Sequence, residues 1–300
     1  MQPVSSTTVP PRTARPLLCG ARALDLATPV VMGIVNVTPD SFSDGGRFLG
    51  REQAVAHGVA LAEAGATILD VGGESTRPGA LPVSEAEELQ RVIPVIEALS
   101  RRCQAVLSID TSKPAVMRAA VAAGAGLIND VRGLREEGAL SAAAYSGAAI
   151  CLMHMQGEPR TMQIDPQYDD VVTDVRQFFT DRVAACLAAG IDPARLALDP
   201  GIGFGKRLEH NLALLAHLPD LAVLDRPILV GLSRKSFIGK LTGKELPQRL
   251  AGGIALATAA LLGGASIIRA HDVAETMDAI RVAAALTAAG FTTVRALPGE

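Results

Sequence analysis

Eight short apolar runs punctuate the chain, and each ends in a polar or charged residue. Val30–Val35 stops at Asn36, Thr67–Leu69 at Asp70, Ala105–Ile109 at Asp110 and Leu127–Ile128 at Asn129. Ala148–Met153 stops at His154, and Leu196–Leu198 at Asp199. Pro227–Leu232 runs into Ser233-Arg234-Lys235, and Ser266–Ile268 into Arg269 and His271. Short continuous apolar runs fit strands buried on both faces. Helical signals lie between them. Ser84-Glu85-Ala86-Glu87 reads as a capping box that opens a helix to about Ser100. Pro114 suits the first turn of a helix over 115–123, closed by Gly124. Tyr168–Ala189 has helical spacing and stops at Gly190, and Asp272 with Glu275 caps a last helix to about Ala289.

Strand and helix thus alternate eight times. Fully apolar strands between helices predict a parallel α/β sheet covered by helices. A doubly wound open sheet is the alternative to a closed (β/α)8 TIM barrel. The count of eight, with a polar end on every run, favours the barrel. There the carboxyl ends of all strands meet at one mouth, where such enzymes work. Leu17–Leu26 is expected to form a short hairpin across the barrel bottom. Two connections on the mouth side are longer than packing needs, 37–50 and 72–82. Long Gly/Ser/Asp loops there are usually functional.

Composition narrows the class. The chain has 300 residues, 49% apolar and 20% charged, which suits one globular unit over 17–296. A net charge of −3 gives no reason to expect nucleic acid. No uncharged apolar stretch reaches 18 residues, so no membrane span is expected. The cysteines Cys19, Cys103, Cys151 and Cys186 form no CxxC pair and read as reduced thiols of a cytoplasmic protein. Residues 1–16, with four prolines and two arginines, read as a disordered tail or a weak organellar signal, not a secretory one.

The loops carry a specific resemblance. Gly33-Ile-Val-Asn-Val-Thr-Pro-Asp-Ser-Phe-Ser-Asp-Gly-Gly46 and Asp70-Val-Gly-Gly-Glu-Ser-Thr-Arg-Pro-Gly79 resemble the two signatures of the dihydropteroate synthase family. Ser108–Lys113, Ile128–Asp130, Met153–Gly157, Leu198–Lys206, Gly231–Phe237 and Arg269–His271 follow in the family's order. The resemblance spans about 29–289 and implies a transferase of folate biosynthesis. It would join 6-hydroxymethyl-7,8-dihydropterin diphosphate to p-aminobenzoate, with magnesium and sulfonamide sensitivity. A homodimer through outer helices is also implied.

The family match gives these residues roles that their chemistry suits. Asp199 would take the guanidine-like edge of the pterin, for which a carboxylate is the natural bidentate acceptor. Asp110 and Asn129 would meet other ring nitrogens, or merely tie loops. Lys235 would donate to the pterin ring. Arg269, His271 and Arg77 would hold the diphosphate, the alternative for Arg269 being simply a pair with a helix acid. Thr76, Pro78, Phe204 and Ser236 would form the p-aminobenzoate pocket, Phe204 being a core residue on the other reading. Asn36 would offer an amide oxygen to Mg2+, or simply form a turn. Asp40, Phe42, Ser43 and Asp44 would belong to a lid that closes over the site. Lys235, Arg269, His271 and Asp110 are the candidate catalytic groups, and His154 is read as supporting structure.

The mechanism expected is dissociative, because no nucleophile–base pair stands in the motifs. Two other functions stay open at this point. A corrinoid-dependent pterin methyltransferase would keep the pterin acids without both loop signatures. A pterin-binding paralogue without activity is disfavoured because all matched positions are filled. The glycine-rich run 201–205 lacks the spacing of a dinucleotide loop.

Overall fold

The structure is a computed structural model that describes residues 16–37, 46–75, 79, 81–158 and 161–291. Asp40, Phe42, Ser43, Asp44, Thr76, Arg77 and Pro78 lie outside the described residues, as does the N-terminal stretch 1–15.

Two short strands, β1 (Leu17–Cys19) and β2 (Arg22–Leu24), form an antiparallel hairpin. Eight parallel strands follow: β3 (Val30–Asn36), β4 (Ile68–Gly72), β5 (Val106–Asp110), β6 (Leu127–Asp130), β7 (Ala149–Met153), β8 (Leu196–Asp199), β9 (Leu229–Gly231) and β10 (Ile267–Ala270). They pair in the order β8-β7-β6-β5-β4-β3-β10-β9. A parallel bridge between Leu198 and Ile228 joins β8 to β9, and Leu198 N–H donates to Pro227 O at 2.9 Å. The (β/α)8 barrel of the sequence reading is therefore observed.

The helices are α1 (Gly46–Glu63), α2 (Glu85–Ser100), α3 (Pro114–Ala122), α4 (Ala139–Ser146), α5 (Val171–Ala188), α6 (Leu208–Ala216), α7 (Leu218–Leu221), α8 (Ser236–Thr242), α9 (Leu250–Leu262) and α10 (Val273–Ala288). Half of the expected capping box forms: Ser84 Oγ accepts from Glu87 N–H at 3.2 Å, while the Glu87 carboxylate pairs with Arg91 instead of reaching back. Three boundaries differ from the sequence reading. The first loop ends earlier, because α1 already begins at Gly46. α5 starts at Val171 behind an Asp170 cap, and Tyr168 stays outside it with its hydroxyl donating to Gly205 O at 2.7 Å. Asp272 precedes α10 without capping it, because its carboxylate is taken by Arg234 (2.6 Å).

The barrel is filled in layers, as its period of two requires. Met32, Ile68, Val106, Leu127, Ala149, Cys151, Ala197, Leu229 and Ile267 form an apolar floor, sealed by Leu17, Cys19, Leu24 and Leu26 around the hairpin. Two residues further along five of the strands, the same face turns polar. Ile68 leads to Asp70, Val106 to Ser108, Leu127 to Asn129, Ala197 to Asp199 and Ile267 to Arg269. The outer faces of the strands pack against the helices in a second, larger apolar cluster. Polar groups therefore sit inside the barrel one layer below its mouth, and this layer forms the candidate site.

Candidate active site

Arg269 is the centre of the polar layer. It does not protrude from the end of the last strand as the sequence reading had it. It lies within β10 and points inward, because it is in phase with the floor residue Ile267. Its Nε donates to Asp70 Oδ2 at 2.6 Å and its Nη2 to Asp110 Oδ2 at 2.9 Å. Burial lowers the guanidinium's proton affinity, but the two carboxylates more than reverse that and leave it above its usual value.

Asp70 is fully buried and fully engaged. Ser108 Oγ donates to its Oδ1 at 2.6 Å, and Asn129 Nδ2 to its Oδ2 at 3.0 Å. The sequence reading took Asp70 for the end of a strand and gave it no role. β4 in fact continues to Gly72. Asn129 is fixed by its amide nitrogen, and its Oδ1 is buried with no hydrogen-bond partner. A buried acceptor left bare costs about 1–3 kcal/mol unless something donates to it. Asp110, at the end of β5, is pushed up to about 7 by burial, against the opposing pull of Arg269.

The other half of the mouth is built on β8 and β9. Asp199 is buried, and its Oδ1 accepts from Gly201 N–H at 2.8 Å. Burial raises its carboxyl above the usual range, with Lys235 pulling the other way. Lys235 follows β9 and directly precedes α8. Burial lowers its amine to about 8, although Asp199 partly restores it. The Lys235 amine donates to Ile202 O and sits 4.5 Å from the centroid of the Phe204 ring. Phe204 is partly buried, and Ser236 is exposed at the start of α8. His271 lies just past β10, where its Nδ1 is 3.0 Å from Ser233 Oγ. Asn36 is exposed at the mouth end of β3.

The structure thus brings Asp110, Asn129, Asp199, Lys235, Phe204 and Arg269 to one end of the barrel. It adds groups that sequence reasoning missed. Lys113 bridges Glu74 and the fully buried Glu88, and Arg91 Nη1 donates to Gly73 O at 2.7 Å. These contacts fix the base of the second loop. A cavity of about 470 Å³ opens beside Asp110 and reaches Glu74, Ser112, Lys113 and Arg132, a size that suits a small organic ligand. Among the described residues no cluster of three or more His, Cys, Asp or Glu could hold a metal by itself. The four cysteines are free thiols.

His154 has a structural place. Burial and the nearby charges of Lys206 and Arg135 drive its imidazole down to about 2, so it is neutral in the fold. An unfolded histidine titrates near 6.5. Its contribution to stability is therefore present above pH about 6.5 and is lost as pH falls below that, by up to about 1.4 kcal/mol per pH unit. Asp110 and Asp199, raised by burial, act in the opposite sense. Comparison with His154→Gln isolates the histidine. Urea midpoints between pH 7 and 4.5 should fall more steeply in the unaltered protein than in the variant. Parallel slopes would show that His154 is not buried neutral.

Residues 32–271 match the pterin binding enzyme family. The chain belongs to that family. Its relatives include the dihydropteroate synthase of Escherichia coli (strain K12), 54% identical over 273 residues, covering 91% of this chain and 97% of the relative. Among solved structures, Yersinia pestis dihydropteroate synthase in a sulfonamide drug complex superposes with a TM-score of 0.87 at 53% identity, covering 91% of this chain and 99% of the other. Xanthomonas albilineans dihydropteroate synthase with 4-aminobenzoic acid gives 0.86 at 56% identity, with the same coverage.

Proposed function

We propose that this chain is a dihydropteroate synthase that condenses 6-hydroxymethyl-7,8-dihydropterin diphosphate with p-aminobenzoate, releasing pyrophosphate and 7,8-dihydropteroate. The observation that carries the reading is the polar layer inside the barrel, above all the bare Asn129 Oδ1 among Asp70, Asp110 and Arg269. A flat ring with several donors would satisfy it. Asp199 takes the guanidine-like edge, Asn129 Oδ1 and Asp110 take ring N–H groups, and Lys235 donates to the ring. Arg269 and His271 would hold the diphosphate, with Arg77 of the second signature. Phe204 and Ser236, with Thr76 and Pro78, would take p-aminobenzoate, and Asp40, Phe42, Ser43 and Asp44 would serve as a lid. Sulfonamides would compete there.

The exocyclic C–O bond breaks first, and its electron pair leaves with diphosphate. The carbon becomes a cation delocalised into the dihydropterin. The lone pair of the neutral arylamine then attacks, and the amine proton passes to solvent. The chain needs no strong base for this. It must balance the charge of the leaving diphosphate and hold the two substrates in line. Mg2+ fits here as a donor-poor site. It keeps waters and substrate phosphates rather than a protein cage, and Asn36 offers one amide oxygen at the mouth. When bound, the metal would neutralise leaving-group charge. We further assign the chain to the cytoplasm, as a homodimer. The described residues contain no helix long and apolar enough to cross a membrane.

The test is pyrophosphate release that requires both pterin diphosphate and p-aminobenzoate. Release without the arylamine, or none at all, removes the synthase reading. Binding should also be ordered. Calorimetry is expected to show p-aminobenzoate heat after pterin plus pyrophosphate has bound, and none on the free protein. Tight binding to the free protein would mean that the second pocket is preformed.

A further inference from the structure

One buried charge has no part in the mechanism above. Lys206 is 2% exposed. Its Nζ lies 3.1 Å from Gly201 O, 3.0 Å from Phe204 O, 3.3 Å from His154 O and 2.9 Å from His154 Nδ1. Four acceptors surround an ammonium with three protons. Two carbonyls belong to the turn that leaves β8, and the other two acceptors belong to the end of β7. Burial lowers the amine to about 7, while neutral His154 offers Nδ1 as a lone pair.

The turn presses against the β7 end closely enough that two positions exclude any side chain. A Cβ on Gly201 (φ +64°) would lie 1.9 Å from His154 O, and one on Gly205 (φ +57°) 2.4 Å from Gln156 O. The turn carries two things to the mouth, the Phe204 ring and the Ile202 carbonyl. Both hold the Lys235 amine. The Lys206 amine therefore sits behind the two groups that position Lys235.

We propose that Lys206 is a positioning residue: it braces the 200–206 turn to the end of β7 and so sets the Phe204 ring for the aminobenzoate substrate. The pterin contacts Asp110 and Asn129 stand on strands β5 and β6, away from the brace, while Asp199 and Lys235 hydrogen-bond to the turn only through Gly201 N–H and Ile202 O, so pterin should lose less than the aminobenzoate substrate. This rests on Phe204 lining the aminobenzoate pocket, which Phe204→Ala tests separately.

Lys206→Met keeps the stem and removes the donors. We expect KM for p-aminobenzoate to rise about tenfold or more, as the loss of one or two buried hydrogen bonds implies. The pterin dissociation constant should change by no more than about threefold, so that the loss falls mainly on one substrate. If Lys206 acts through Phe204, the double variant Lys206→Met/Phe204→Ala should be no worse for p-aminobenzoate than Phe204→Ala alone. Lys206→Gln, which restores two donors, should recover part of the affinity.

Equal losses for both substrates would overturn the proposal, and so would additive losses in the double variant. Thermal melting guards against misfolding. If neither Lys206→Met nor Lys206→Gln melts cooperatively, Lys206 supports the fold rather than the turn, and the proposal fails. A Phe204→Ala variant with unchanged KM would instead remove Phe204 from the pocket, an outcome distinct from failure of the brace.

Discussion

Arg269→Ala should destabilise the protein by about 3–5 kcal/mol, the usual cost of removing one partner from a buried ion pair. The loss should grow with pH. Asp70 is fully buried and Asp110 nearly so, and Arg269 is the cation that bonds both. Without it the two carboxylates face each other in the barrel interior. The Asp110 carboxyl then holds a proton in the fold at a pH where the unfolded chain, with carboxyls near 4, has released it. A group raised in the folded state loses stability as pH rises from its unfolded value through its folded one. The Asp110 carboxyl is already near 7 with Arg269 present, so the window runs from about pH 4 to beyond pH 7. Denaturant titrations at pH 5 and pH 8 should therefore show the larger deficit at pH 8. Pterin diphosphate should lose more affinity than pterin without the diphosphate. A deficit below about 1 kcal/mol and independent of pH would mean that the acids do not rely on Arg269. Equal losses for the two ligands would leave Arg269 shaping the pocket rather than gripping phosphate.

The architecture was legible because its signal is coarse. Eight apolar runs, each followed by a helix, survive an error of one or two residues at every boundary. The site was harder to read for a reason of phase. Sequence reasoning took the polar residue that ends each run as the one at the mouth. That works for Asp110 and Asp199, which are the last residues of β5 and β8. It misplaces Asp70 and Arg269, which lie inside their strands. Counting by two from the floor residues Ile68 and Ile267 would have turned both inward and paired them. The two loop signatures were legible as motifs, but seven of their polar or charged residues (Thr38, Asp40, Ser41, Ser43, Asp44, Thr76 and Arg77) lie outside the described residues. Lys206 and Lys113 each end one of the motifs, but their roles were not legible. Their contacts depend on how the chain folds back, Lys206 on His154 at the end of β7 and Lys113 on a carboxylate of α2.

Asp199→Asn should cost about 10- to 150-fold in pterin affinity, the equivalent of about 1.5–3 kcal/mol for a lost charge-assisted pair. The fold should be undamaged. Asp199 keeps one oxygen on Gly201 N–H at 2.8 Å. An asparagine can keep that bond with its carbonyl, but it then turns an NH2 toward the donors of the pterin edge. Donor faces donor, which is worse than an empty site. Stability moves the other way. Burial raises the Asp199 carboxyl, so its charged form works against folding wherever the unfolded chain is ionised. The neutral amide removes that penalty above pH about 4. The variant should therefore melt no lower than the unaltered protein at pH 8, while binding far less pterin. A second consequence follows at Lys235. Asp199 supports the charge on its amine, so without that carboxylate the amine should titrate below about 8. Any residual activity should then fall away at a lower pH than in the unaltered enzyme. Calorimetry, a melting curve and a pH–rate profile on one variant read the three effects. Unaltered pterin affinity would take Asp199 out of the binding site. A melting point lowered by ten degrees or more would make its carboxylate a structural anchor instead.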